Sequence, residues 1–139
     1  MKKIIKIMLC ITLALTLCAC GKKEEITSNQ AKKIFESNSF SVYDSTSQME
    51  DKDIKSIISA NNGKFQVEFT VYNNEDGAKK LYDVNKKYFE NSNKTKGSEV
   101  SSDGYIKYVQ KLSDTYNVIE KVGNSVLYVS TSIEYKNEV

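Results

Sequence analysis

The chain contains no histidine, tryptophan, proline or arginine, and all 20 of its basic residues are lysine. Without histidine it lacks the usual general base near neutral pH and the commonest metal ligand. Without arginine it lacks the planar fork that grips phosphate or carboxylate bidentately. Cysteine is nearly as scarce: the three cysteines are Cys10, Cys18 and Cys20, all within the first twenty residues. The rest of the chain therefore has no disulfide framework, no thiol nucleophile and no cysteine metal site. The six glycines are scattered and form no phosphate-cradling loop. Charge of one sign is missing too, since 18 acidic residues balance the lysines. With no basic patch to release counterions, nucleic acid is not an expected partner.

What is present begins at the N-terminus. Lys2, Lys3 and Lys6 precede an apolar run that ends in Leu17-Cys18-Ala19-Cys20. A charged start, a short apolar stretch and a small-residue close make up a secretory signal. The thirteen residues from Ile7 to Ala19 would form a helix of about 20 Å, too short for a hydrocarbon core of about 30 Å. The close resembles the bacterial lipobox, in which Leu and two small residues precede a cysteine; Cys18 departs from the usual small residue but is small enough to fit. The resemblance implies cleavage between Ala19 and Cys20 and a diacylglyceryl group on the Cys20 thiol, with no other cofactor. Two acyl chains give stable anchoring where one gives only marginal binding. The expected location is the outer face of the cell membrane, with the membrane itself as a partner through the lipid.

Three of the 20 lysines belong to the signal, leaving 17 against 18 acids in the mature part. The slightly basic whole-chain balance is thus a property of the signal. Lysine-only basicity with abundant Asn and Ile points to an AT-rich genome, and the chain is similar in kind to small lipoproteins of Gram-positive bacteria.

The expected organisation is a signal over 1–19, a polar tether over 20–26 and a single domain over 27–139. About 120 residues suffice to bury a core without a disulfide or metal. Thr27 and Gln30 form a capping-box pattern ahead of Ala31, Ile34 and Phe35, predicting a helix over 28–38. Phe40, Val42 and Tyr43 suggest a short strand. Ser47 and Glu50 repeat the capping pattern before Ile54, Ile57 and Ile58, predicting a second helix over 48–60 that Asn61-Asn62-Gly63 would end. Phe65, Val67, Phe69 and Val71 alternate with polar residues, the period of a strand. Asn74, Glu75 and Asp76 open a third helix over 75–91. The turn pairs Asp103-Gly104 and Gly123-Asn124, with Ser113-Asp114, divide the remainder into strands near 98–101, 105–112, 115–122 and 125–134. The expected fold class is α+β: an antiparallel sheet meander with two to three helices packed mainly on one face.

No residue set assembles an expected catalytic site. A serine nucleophile would need lysine as its base, and no Gly-x-Ser-x-Gly or Ser-x-x-Lys elbow occurs in the mature part. Glu68 sits on the polar face of the clearest strand, and Glu50, Asp51 and Asp53 cluster without the spacing or glycine of a calcium loop; no metal ligand set is expected. The nine tyrosines suit a half-buried sheet surface, and Tyr105, Tyr116 and Tyr128 are taken as a candidate binding face. The run Val126-Leu127-Tyr128-Val129 is apolar on both sides, as in a strand covered on both faces. The leading expectation is a non-catalytic binding module for an envelope protein or cell-wall polymer. The alternatives are an envelope hydrolase using carboxylates or a Ser-Lys pair, and an inhibitor or immunity-type protein acting through a sheet edge or the loop 91–97.

Overall fold

The computed structural model describes residues 23–139. The signal segment, the Ala19–Cys20 cleavage site and the Cys20 thiol lie outside the described residues. Among those described, no helix is long and apolar enough to cross a membrane.

The fold is α+β, built on one seven-stranded antiparallel sheet. In chain order come α1 (Ser28–Ser37), β1 (Ser41–Asp44), β2 (Ile54–Asn61), β3 (Phe65–Tyr72), α2 (Glu75–Asn93), β4 (Ser98–Ser102), β5 (Tyr105–Lys111), β6 (Thr115–Val122) and β7 (Ser125–Ser132). A one-turn 3-10 helix at Thr46–Gln48 and a longer 3-10 segment at Ile133–Glu138 complete it. The spatial order is β1-β2-β3-β7-β6-β5-β4. Two meanders, β1 to β3 and β4 to β7, meet where β7 pairs with β3. Helix α2 carries the chain from the centre of the sheet to its far edge, and three hairpins bring it back.

Local chemistry sets the helix ends. Thr27 and Gln30 make the full capping box on α1. At the other end Ser39 takes a left-handed φ of 64°, and the Phe40 N–H donates to the Phe35 carbonyl at 3.1 Å. That is a Schellman closure with serine where glycine is usual. It sets the Phe40 ring against Phe35, centroids 5.8 Å apart. Asn74 caps α2 by accepting from the Gly77 N–H at 2.8 Å, with Glu75 and Asp76 in the first turn.

The second expected helix is absent. Residues 54–61 form strand β2, and Ser47 lies in the 3-10 turn ahead of it. Ile54, Ile57 and Ile58 do not share one stripe. Ile57 pairs across from Thr70 and Ile58 from Phe69, so the two side chains enter opposite faces and both are buried. A strand buried on both sides gives a dense apolar run whose period does not separate it from a helix. Asn62-Gly63 is consequently a hairpin turn: Gly63 has φ of 84°, and the Asn62 side chain accepts from the N–H groups of Lys64 and Phe65.

The helices are shared between the two faces rather than gathered on one. The front face carries α1, whose Ala31 and Phe35 pack with Ile58, Ala60, Phe65, Val67, Phe69, Val118, Leu127 and Val129. The C-terminal turn adds Tyr135 and Val139 to the same cluster. The back face carries α2, whose Ala78, Tyr82 and Phe89 pack with Tyr72, Tyr108, Ile119 and Val126. Strand β7 feeds both cores, as its two-sided apolar run requires.

Candidate functional site

The strand registers arrange side chains in rows across the sheet, because directly paired residues share a face. On the back face one row reads Ser41, Asn61, Gln66, Ser130, Asn117 and Gln110. The next reads Tyr43, Ser59, Glu68, Tyr128, Ile119, Tyr108 and Glu99. The first row is polar throughout. Helix α2 crosses the back face obliquely. Its start lies over Tyr72, the ring that a side chain at Gly77 would strike. Near its end the Phe89 ring stacks on Tyr128 at 5.7 Å, and the Phe89 carbonyl accepts from Gln110.

The helix therefore closes the β5–β7 part of these rows and leaves the β1–β3 part open. Ser41, Tyr43, Ser59, Asn61, Gln66 and Glu68 line a shallow concavity of about 200 Å³ there. Tyr43 is 56% exposed, and its hydroxyl accepts from the Gln48 side-chain amide. The side of α2 turned away from β4 carries Leu81, Val84 and Tyr88 at helical spacing. Val84 and Tyr88 are both exposed.

On that edge of the helix facing β4, Tyr82 and Lys86 both reach Glu99 Oε2, each at 2.7 Å. The Lys86 ammonium, with the Tyr82 hydroxyl, holds the Glu99 carboxyl below the usual carboxylate range. Burial, then the hydrogen bond to Glu99, raises the Tyr82 phenol far above its ordinary value. A phenol so stabilised in its protonated form is a donor that ties α2 to the edge strand, and a poor base.

The front face holds a different arrangement. Strand β6 places Tyr116, Val118, Glu120 and Val122 on this side, and Glu120 is only 4% exposed. Its carboxylate meets Lys23 Nζ at 3.3 Å and Lys107 Nζ at 3.9 Å. Lys23 also sits over the Tyr105 ring, 3.6 Å from its centroid. The segment expected as a free polar tether is thus docked from Lys23 onward: the Asn124 N–H donates to Glu25 at 3.1 Å, and Ile26 packs on the front core. Beside Glu120 runs an apolar slot lined by Phe40, Phe65, Val118, Leu127, Val129 and Val139. Its cavity volume is about 20 Å³, room for one water and far below the hundreds of Å³ a small-molecule site occupies.

The three tyrosines taken as one binding face are not brought together. Tyr105 and Tyr116 lie on the front face at opposite ends of the sheet, paired with Val122 and Lys111. Tyr128 lies on the back, beneath Phe89 and beside Glu68. Burial raises the phenol pKa of both front-face tyrosines. The acids Glu50, Asp51 and Asp53 are exposed in the turn before β2, where Asp51 accepts from the Asp53 N–H at 2.9 Å. A cleft at the β4–β5 turn collects Glu24, Glu25, Glu75 and Asp103, but Glu25 holds Asn124 and Glu75 pairs with Lys121. Among the described residues no group of three or more candidate ligands is placed to hold a metal ion. Lys23, Lys32, Lys79, Lys86, Lys107 and Lys121 each pair with a carboxylate.

The open polar patch is the site that sequence reasoning missed. Gln66 and Glu68 were legible as the polar side of β3, but the neighbours that make them a surface come from β1 and β2, and β2 reads as a helix. The buried Glu120 did leave a signal: it is the one acid in the alternation Tyr116, Val118, Glu120, Val122. No family model, curated protein or solved structure matches this chain.

Proposed function

We propose that this chain is a lipid-anchored domain on the outer face of the cell membrane that binds a component of the cell envelope without catalysis. The observation that carries the reading is the lipobox-like close Leu17-Cys18-Ala19-Cys20, three residues ahead of a folded, docked segment. Covalent diacylglycerol on Cys20 supplies the anchor, and the membrane is the first partner.

The binding role is supported by the open part of the back face. A sheet surface left without a covering element needs polar residues to stay solvated, and Ser41, Ser59, Asn61 and Gln66 satisfy that need. They also offer both donors and acceptors, with Glu68 as an acceptor and Tyr43 as an exposed ring. That mixture fits a hydroxyl- and amide-rich polymer such as the cell wall better than a protein. Protein interfaces centre on clusters of buried aromatic and arginine anchors, whereas this patch has no arginine and a single ring, Tyr43, among polar side chains.

The test is co-sedimentation of the detergent-solubilised full chain with purified, insoluble cell wall. The reading expects retention that falls severalfold in a Tyr43→Ala, Gln66→Ala double variant whose melting temperature is unchanged. Retention equal to that of the unaltered chain would remove the patch as the binding site, and no retention of either protein would remove the polymer as the ligand.

A further inference from the structure

The docked segment does more than join an anchor to a domain: we infer that it fixes which end of the domain faces the bilayer. The inference rests on the lipid-anchored reading above. It concerns the surface that meets the headgroups and the surface held away from them.

Three residues clamp the segment. Lys23 is held by the buried Glu120 carboxylate at 3.3 Å and the Tyr105 ring at 3.6 Å. Glu25 accepts from the Asn124 N–H at 3.1 Å. Ile26 packs on the front core, and Thr27 then caps α1, so the chain runs from clamp to helix without slack. Tyr105 begins β5, and Asn124 lies in the β6–β7 turn. The clamp therefore grips one end of the sheet, the end that carries the turns at Gly104 and Gly123.

Cys20 precedes Lys23 by three residues, a reach of at most about 10 Å. A free tether would let the domain tumble about its anchor. A clamped one leaves only that reach, so the β4–β5 and β6–β7 turns stand at the headgroups. Residues such as Lys111 and Lys64 lie at the other end, about 20 Å further along the strands at about 3.4 Å per residue. The open polar row of Ser41, Asn61 and Gln66 belongs to that distal end, since Asn61 and Gln66 flank the β2–β3 turn. The geometry thus presents the patch outward, toward the wall. The near end carries Glu24, Asp76 and Asp103, all exposed; anionic headgroups repel these acids, so the short clamped reach, and not charge, sets the orientation.

The mature chain has no free thiol once Cys20 is acylated, so single labels can be placed at Asp103→Cys and Lys111→Cys, exposed positions at either end of β5. The full-length lipoprotein is reconstituted into vesicles containing a lipid with a nitroxide on its headgroup, and quenching of each fluorophore is compared. The expected result is severalfold stronger quenching at position 103 than at 111. The difference should be lost in a Lys23→Ala, Glu25→Ala variant, and also after insertion of a six-residue Gly/Ser segment following Gly21, a change that leaves the clamp and the fold untouched. Equal quenching at both positions in the unaltered chain would overturn the inference, as would a difference that survives the insertion. Flotation with the vesicles separates this from the anchor itself: a protein that floats but is quenched equally at both ends contradicts only the orientation. One that does not float contradicts the anchor as well.

Discussion

The two faces of the sheet solve the same problem with different parts of the chain. The front is closed by what flanks the sheet in sequence: the docked segment from Lys23, the short helix α1 and the C-terminal turn. The back is closed by one long internal helix, α2. A cover made of several short pieces can follow the sheet's surface, and on the front face it buries even the Glu120 carboxylate, leaving only the edge strand β4 exposed along its length. A single straight helix about 28 Å long at about 1.5 Å per residue cannot cover seven strands, so the back face stays open beyond its edge. The residues follow this difference. Front rows are rich in Val, Phe and Ile, whereas the uncovered corner of the back is Ser, Asn, Gln, Glu and one tyrosine.

The sharpest way to break the comparison is to empty the front core. Phe69, 1% exposed, packs centrally there, and Phe69→Ala should cost about 3–5 kcal/mol. Thermal denaturation should show a loss of about 10 °C or more. A smaller loss would mean that the front cover rearranges to fill the space. Next in size is Tyr128→Ser on the back, which removes the ring stacked on Phe89 and should cost about 1–3 kcal/mol. Near-zero change would place Tyr128 with the open patch instead of under the helix.

The edge of α2 offers a pH-dependent contrast. Glu99 has its folded pKa depressed by Lys86 and Tyr82, so the folded state binds its proton less readily than the unfolded state. Its stabilising contribution is complete above the unfolded carboxylate value of about 4.3 and fades as pH falls through the lower folded value. Glu99→Gln should therefore lower the melting temperature at pH 7 and bring it close to that of the unaltered chain at a pH low enough to protonate Glu99 in the folded state. A gap of constant size across that range would show that the loss comes from packing. Ser39→Gly should raise stability by about 0.5–1 kcal/mol, because the left-handed φ at the end of α1 is strained for serine and natural for glycine. The smallest effect belongs to the open corner: Tyr43→Ser should stay within about 0.5 kcal/mol, and a drop comparable to that of Tyr128→Ser would show Tyr43 to be covered.

Much of this architecture was legible from local chemistry. The capping residues Thr27 and Asn74 fixed the starts of both helices, and the turn pairs Asp103-Gly104 and Gly123-Asn124 fixed the hairpins of the second meander. Ile54, Ile57 and Ile58 were misread because burial on two faces erases the period of two. Strand order was not legible: the pairing of Val67 with Val129 joins residues 62 positions apart, and no local signal specifies it. The docked segment was not legible either. Lys-Lys-Glu-Glu reads as a solvated tether until Glu120, 97 residues away, is seen to need a cation. The three tyrosines fall on two faces through hairpin register: Tyr105 pairs with Val122 and Tyr116 lies six residues before it, whereas Tyr128 lies three residues after Ser125, the partner of Val122, and so points the other way.

The proposed anchor depends most heavily on the thiol of Cys20. Mass spectrometry of the N-terminal peptide from the membrane-purified protein tests it directly. The predicted peptide starts at Cys20 and carries the mass of a diacylglyceryl group on its sulfur. A peptide that starts elsewhere, or a Cys20 with an unmodified thiol, would contradict the anchor and the outward-facing geometry built upon it.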